Sequence, residues 1–369
     1  MKFNELFIND RIKKALVDLN YITLTEVQEQ SMPIIFEEND ILVKAKTGSG
    51  KTASFMLPII NNILKEKERF VIRGLIIVPT RELAMQIHDA TLSYCKYTNI
   101  RSLALIGGVK DTYHKQKINQ GVDLLIATPG RLLDLINQKV LNFKSLNYLV
   151  IDEADKMLDM GFIKDIENII SVLPRRQTLM FSATIPEQIK QLSNNILNFP
   201  EEVFLKEEDI NVTQEYYLIN QVDKLYLLKD IIRKQNMKSV LVFCRTKLAA
   251  EKTSNFLRGN NVTSDFINKD RSQIERQKAL NKFKDNKIQA LVATDIASRG
   301  IDVEDLSNVI NFDLPNDLET YIHRIGRTAR KGKNGVVTTF CSKQEVVILE
   351  KIKEKYDLKK LSHRYKEED

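Results

Sequence analysis

The run Ala45-Lys46-Thr47-Gly48-Ser49-Gly50-Lys51-Thr52 holds the residue types that phosphate chemistry needs. Glycines let successive backbone N–H groups wrap phosphate oxygens at a helix N-terminus. In that setting Lys51 is a point charge for the β- and γ-phosphates of ATP, and the Thr52 hydroxyl is a ligand for Mg²⁺. Roughly 100 residues further on stands Asp152-Glu153-Ala154-Asp155. A carboxylate at a strand end, Asp152, would hold Mg²⁺ through water, and its neighbour Glu153 would take the proton from an attacking water. Acids at a helix start also serve the helix dipole alone, so neither segment is as strong as the pair. A third element is His323-Arg324-Ile325-Gly326-Arg327-Thr328-Ala329-Arg330. A guanidinium beside the γ-phosphate speeds phosphoryl transfer by orders of magnitude. Arg327 and Arg330, three apart, would reach one anion from one helical face. The plain alternative is a basic surface patch, since Lys331 and Lys333 extend the run. If the arginines reach the phosphate, the site lies between two domains and ATP binding closes them.

These groups need a scaffold, and its pattern repeats along the chain. In the first half short apolar runs stand at Ile41–Val43, Leu75–Val78, Leu103–Ile106, Leu124–Ala127, Tyr148–Ile151 and Leu179–Phe181. Amphipathic stretches such as Arg81–Tyr94 separate them, which predicts buried parallel strands with crossover helices. Behind the runs come polar or Gly-rich segments: the phosphate loop, Pro79-Thr80-Arg81, Gly107-Gly108, Thr128-Pro129-Gly130-Arg131, Asp152-Glu153 and Ser182-Ala183-Thr184. Parallel sheets bind ligands beyond their strands' carboxyl ends, so one sheet edge collects all of these groups. The pattern restarts with Val240–Phe243, Ala290–Ala293, Val309–Asn311 and Val336–Phe340, with loaded loops at Cys244–Thr246, Thr294-Asp295 and His323–Arg330. The expected division is a first domain over 1–205, a linker over 206–212 centred on Lys206-Glu207-Glu208-Asp209, and a second domain over 213–369.

The composition agrees with two soluble domains. The 369 residues are 43% hydrophobic and 28% charged, enough for ordinary cores and against wholesale disorder. No apolar run approaches the ~18 residues of a membrane span, and the acids in MKFNELFIND exclude a secretion signal. Three scattered cysteines make neither a disulfide framework nor a zinc site, so a reducing cytoplasm is expected. The net charge of +7 divides into −1 over residues 1–210 and +8 over 211–369. A basic half suits a polyphosphate partner, and equally a solvated Lys-rich surface.

Taken in order, these motifs resemble the DEAD-box family of ATP-dependent RNA helicases in superfamily 2. The similarity runs from about Phe3 to Phe340. It includes the family's own A-x-T-G-x-G-K-T loop, Asp152–Asp155, Pro79–Ala84, Gly107-Gly108, Thr128–Arg131, Ser182–Thr184, Gln273–Arg276, Ala293–Asp302 and His323–Arg330. The resemblance implies two tandem RecA-like α/β domains, each a mostly parallel sheet flanked by helices. It implies a minimal bacterial-type core without extended tails, monomeric and off the membrane. Tyr21 and Gln28 resemble the adenine-reading motif, a ring on the base face and an amide on its N6/N7 edge. Thr47, Gly48, Ser49 and Gly50 join Lys51 and Thr52 around the phosphates, and Asp302 looks like the ribose contact. Arg327 and Arg330 look like arginine fingers. Asp155, Ser182, Thr184 and His323 resemble the relay between hydrolysis and domain closure. RNA contacts fall to Pro79, Thr80, Arg81, Gly108, Thr128 and Arg131, and to Arg245, Gln273, Arg276 and Thr294. Small polar residues and arginines suit phosphates and 2′-hydroxyls, which implies a grip indifferent to base sequence.

The implied activity is RNA-stimulated ATP hydrolysis with local, non-processive unwinding. Ribosomal precursors or the RNA-turnover machinery are the expected partners. An ATP-gated RNA clamp without unwinding and a DNA helicase are the rival readings. Duplex release tests the first and stimulation by DNA the second. There are four departures from the family pattern: Asn20 for Gly, Leu24 for Pro, Asn268-Lys269 for His-Gly, and Ala329 for Gly.

Overall fold

The apolar runs do form the expected strands, because four or five consecutive aliphatic residues can be satisfied only by burial on both faces of a sheet. In the computed structural model, residues 1–46, 48–66, 70–205, 212–295, 306–328 and 335–363 are described. They divide into two compact units, Met1–Glu207 and Glu208–Asp369.

The first unit contains β1 (Ile41–Lys44), β2 (Gly74–Ile77), β3 (Ser102–Leu105), β4 (Leu124–Ala127), β5 (Tyr148–Asp152), β6 (Gln177–Ser182) and β7 (Glu201–Phe204). All pairings are parallel, in the order β3-β4-β2-β5-β6-β1-β7. Every strand therefore ends at the same edge. One core packs Ile41, Val43, Ile76, Val150 and Phe181 against helices Glu26–Phe36 and Lys51–Lys65. The opposite face packs Leu42, Ile77, Leu125, Ile151 and Met180 against helices such as Pro129–Asn137 and Ile163–Ser171.

The second unit contains β8 (Val212–Leu218), β9 (Val240–Cys244), β10 (Ser264–Ile267), β11 (Ala290–Thr294), β12 (Asn308–Asn311), β13 (Gly335–Cys341) and β14 (Lys359–Lys360). This sheet is parallel as well, ordered β10-β11-β9-β12-β13-β8-β14, with cores on both faces. β8 begins at Val212, the last residue of the expected linker. Among the described residues no helix is long and apolar enough to cross a membrane.

Candidate functional site

The phosphate loop leaves β1 and turns into the helix Lys51–Lys65 through two residues in the left-handed region, Gly48 (φ 81°) and Gly50 (φ 99°). A side chain at Gly50 would meet more than backbone strain. Its Cβ would lie 2.6 Å from Gln28 Nε2 and 2.8 Å from Thr25 Oγ1. Lys51 is buried, and its ammonium donates to the Ala45 carbonyl at 2.9 Å while standing 3.9 Å from Asp152 Oδ1. Thr52 is half-buried in the same first turn, and Ser49 Oγ closes the loop on the Lys46 carbonyl at 2.8 Å.

Asp152 ends β5 two strands from the loop and is buried. Burial pushes its carboxyl up to about 6 despite the pull of Lys51. The next residue, Glu153, has φ 57°, a conformation costing about 1–2 kcal/mol outside glycine and typical of functional sites. Its carboxylate accepts from Lys156 Nζ at 2.6 Å, with both side chains buried. Asp155 faces β6: its Oδ2 accepts from the N–H groups of Ala183 (3.1 Å) and Thr184 (2.9 Å) and from Thr184 Oγ1 (3.2 Å). The Asp155 N–H in turn donates to Ser182 Oγ at 3.1 Å.

Among the described residues no cluster of three or more His, Cys, Asp or Glu could hold a metal. Thr52 and Asp152 fit a Mg²⁺ ion that arrives on the phosphates, since that ion keeps water and phosphate ligands and takes only one or two protein oxygens. The raised carboxyl of Asp152 fits an ion too, because a buried carboxylate gains from added positive charge.

Gln28, a candidate for adenine reading, sits 3% exposed between Thr25 and the loop. Its Oε1 accepts the Thr25 N–H at 2.9 Å and its Nε2 donates to the Gly50 carbonyl at 3.1 Å. One N–H and one lone pair remain for a base. Tyr21 is partly exposed, with its ring tilted on Phe3 at 5.3 Å and edge-on to Tyr94 at 6.1 Å. Its hydroxyl lies 3.2 Å from that of Tyr94. Two departures from the family pattern now have reasons. Asn20 adopts φ 55°, a conformation that glycine prefers and asparagine tolerates. Leu24 is buried and joins the core.

The RNA candidates of the first unit occupy the other half of the same edge. Pro79 and Thr80 follow β2, and Thr80 caps the helix Arg81–Tyr94 by accepting from the Leu83 N–H at 3.2 Å. The exposed Arg81 lays its guanidinium over Gly107 and Gly108, where added Cβ atoms would stand 2.6 and 2.8 Å from its terminal nitrogens. Thr128 follows β4 as the cap residue of the helix Pro129–Asn137. Arg131 is held inside the protein, its Nη2 donating to Asp111 Oδ1 at 2.7 Å and to His114 Nδ1 at 3.1 Å. Nucleotide candidates thus cap β1, β5 and β6, RNA candidates cap β2, β3 and β4, and the two sets meet between β2 and β5.

In the second unit Thr294 ends β11 and is buried, Arg245 follows β9, and Arg276 stands on the helix Gln273–Lys284, which Ser272 and Glu275 cap reciprocally. β10, β11 and β9 are neighbours, so these residues also share one half of an edge. Asn268 is buried and accepts from the N–H groups of Asp270 (3.1 Å) and Arg271 (3.2 Å), a turn for which its side chain is needed. The helix of the His323–Arg330 motif ends before Arg327. The helix Leu318–Ile325 stops with Gly326 as its C-cap, and Arg327 lies buried in the following turn. Thr47, Asp302, Ala329 and Arg330 lie outside the described residues, as do the side chains of Gln273 and His323.

Several site partners escaped sequence reasoning. Thr25, Lys156, Tyr94, Asp111 and His114 hold Gln28, Glu153, Tyr21 and Arg131. Arg324 grips Asp295 through two bonds, Nε to Oδ1 at 2.6 Å and Nη2 to Oδ2 at 2.8 Å. Only Thr25-x-x-Gln28 had a local spelling that could have shown it, that of a capping box.

Family models agree with this division of the chain. The DEAD/DEAH box helicase model matches residues 25–192, and the helicase conserved C-terminal domain matches residues 223–332. The chain is 39% identical over 360 residues to the DEAD-box ATP-dependent RNA helicase RhpA of Helicobacter pylori, covering 96% of this chain and 72% of that protein. It is 39% identical over 356 residues to the ATP-dependent RNA helicase CshA of Limosilactobacillus reuteri, covering 95% and 71%. Among solved structures, S. cerevisiae Dbp5 bound to RNA and ADP BeF3 matches with a TM-score of 0.86 and 26% identity, over 98% of this chain and 95% of that one.

Proposed function

This chain belongs to the DEAD-box ATP-dependent RNA helicases, and we propose that it hydrolyses ATP in response to RNA and uses the cycle to separate short duplexes locally. The observation that best supports this reading is the pairing of a Lys51, Asp152 and Glu153 cluster with a set of small polar and Arg groups along one strand edge. Lys51 holds the β- and γ-phosphates, and Gly48, Ser49 and Gly50 offer them backbone N–H groups. Thr52 and Asp152 would hold Mg²⁺, which when bound neutralises charge developing on the phosphate oxygens. Glu153 accepts the proton of the attacking water, and the ammonium of Lys156 at 2.6 Å holds its carboxylate in place. Asp155 links that acid pair to Ser182 and Thr184, so a shift at the phosphates is felt at β6.

Arg327 and Arg330 act as fingers on the γ-phosphate once ATP and RNA together draw the second domain in, with His323 joining the relay and Asp302 the ribose. Thr47 completes the loop, and Gln273, Arg276, Arg245 and Thr294 carry the second domain's share of the RNA backbone. A strand pair that cannot keep regular duplex geometry in the closed state loses one strand, and phosphate release reopens the protein. The work is placed in the cytoplasm, on ribosomal precursors or in RNA turnover.

Glu153→Gln tests the reading. RNA-stimulated turnover is expected to fall by about 10²–10⁴-fold with ATP and RNA still bound. Unchanged turnover would remove Glu153 as the base.

A further inference from the structure

Beyond the stretch matched by the helicase C-terminal model, β13 ends at Cys341 and the chain turns through Ser342-Lys343-Gln344-Glu345. The Ser342 N–H and Oγ both donate to Glu345 Oε2, at 3.0 and 2.8 Å, which fixes the carboxylate in a buried position. Its Oε2 also accepts from Lys224 Nζ at 2.9 Å, and its Oε1 accepts from Arg245 Nη2 at 2.6 Å and from the Leu314 N–H at 3.2 Å. Lys224 is fully buried, 3.5 Å from Asp313 Oδ1, and Asp313 Oδ2 accepts the Arg245 N–H at 2.9 Å. Two carboxylates and two cations therefore close a balanced ring.

Arg245 differs from the other three in being open to solvent, with its side chain 46% exposed. Its Nη2 makes both of its guanidinium bonds, to Glu345 and to the Leu314 carbonyl at 3.0 Å. The hydrogens of Nε and Nη1 have no protein partner among the described residues and remain as charge-assisted donors for a phosphate oxygen. A half-exposed ion pair contributes little to stability, so stability does not explain why a buried carboxylate is spent on this arginine. Orienting a long side chain in advance does matter to a ligand.

We propose that Glu345 is a positioning residue for RNA: it holds Arg245 by Nη2 so that the hydrogens left on its other nitrogens are presented to a backbone phosphate. The inference rests on the reading of Arg245 as an RNA contact.

The test is anisotropy of a labelled single-stranded RNA on the full chain across a salt series. Glu345→Asp keeps the charge that Lys224 needs and draws the carboxylate back by one methylene. It is expected to weaken RNA binding about two- to tenfold and to lower the salt slope by up to about 0.7, the share of one phosphate. In an Arg245→Ala background the same change is expected to have no further effect. Wild-type affinity in a folded Glu345→Asp protein, or a second loss on top of Arg245→Ala, overturns the proposal. If Glu345→Asp does not fold, Arg245→Lys serves: a lysine held by Glu345 has no second nitrogen to offer, so the same loss is expected and wild-type binding overturns it. Arg245→Ala binding RNA as wild type does would overturn the RNA-contact reading itself, and the proposal with it.

Discussion

Exchanging Gln28 for Glu replaces one NH₂ by an oxygen with no change of volume, at a residue 3% exposed. The bond from the Thr25 N–H at 2.9 Å survives, but the donor that meets the Gly50 carbonyl at 3.1 Å becomes a second acceptor. A buried carbonyl that loses its donor and faces a carboxylate costs about 1–3 kcal/mol. The loss falls on Gly50, whose φ of 99° sets the entry into the phosphate-binding helix, so it is felt as weaker ATP binding. In equilibrium terms that is about a 5- to 150-fold rise in Kd. The sign of the pH dependence follows from the same contact. A carboxyl buried against a carbonyl has its pKa raised above the ordinary ~4.3, and its protonated form can donate to Gly50 again. Titrating a fluorescent ATP analogue into both proteins gives the ratio of their affinities. The gap should be widest near about pH 8 and narrow toward about pH 5.5. Equal affinities at the higher pH, or a gap that widens as pH falls, would refute the coupling of the Gln28 amide to the loop at Gly50.

Asp155→Asn removes the charge that holds three donors on one oxygen, so a loss of about 2–3 kcal/mol is expected in urea unfolding of the first unit, together with weaker RNA stimulation. An unmoved unfolding midpoint would count against that bonding scheme. Gly108→Ala strains a φ of 84° and sets a Cβ 2.8 Å from Arg81 Nη1. RNA affinity should fall while ATP affinity without RNA stays at the wild-type value; equal RNA binding would contradict the placement of Arg81. His114 accepts from Arg131, a group that only donates, so its ring is neutral, and burial followed by the nearby Arg131 charge lowers its pKa below the usual 6.5. The unfolded chain then binds a proton near 6.5 that the folded chain does not, so stability from this group is present above that pH and lost as pH falls. His114→Gln should flatten the fall in Tm between about pH 7.5 and about pH 5.5, and an identical slope in both proteins would argue against it.

Strands buried on both faces were legible as apolar runs, and the order of their loaded loops gave the shared edge. Of the four sheet margins only β3 was. Glu201-Glu202-Val203-Phe204 and Lys359-Lys360 are edge strands with mostly exposed, charged residues, and Ser264-Asp265-Phe266-Ile267 is an edge strand that is buried but only half apolar. β8 lies next to an edge and carries Thr213, Gln214 and Glu215 in a row after Val212. Groups that act on a phosphate were readable because their chemistry is local in sequence. Their partners were not, because Arg245 and Glu345 are 100 residues apart and Tyr21 and Tyr94 are 73 apart. That Gly326 ends the helix before Arg327 was not legible from the spacing of the basic residues. Ser342-x-x-Glu345 had a capping-box spelling, yet no spelling says that such a box will also hold an arginine of another strand.

The most direct test of an RNA-responsive ATPase is the binding linkage between its two ligands. RNA affinity should be measured with and without a non-hydrolysable ATP analogue, and analogue affinity with and without RNA. The account predicts that each tightens the other by the same factor, about 5- to 150-fold. Independent binding, with both factors equal to one, would contradict it.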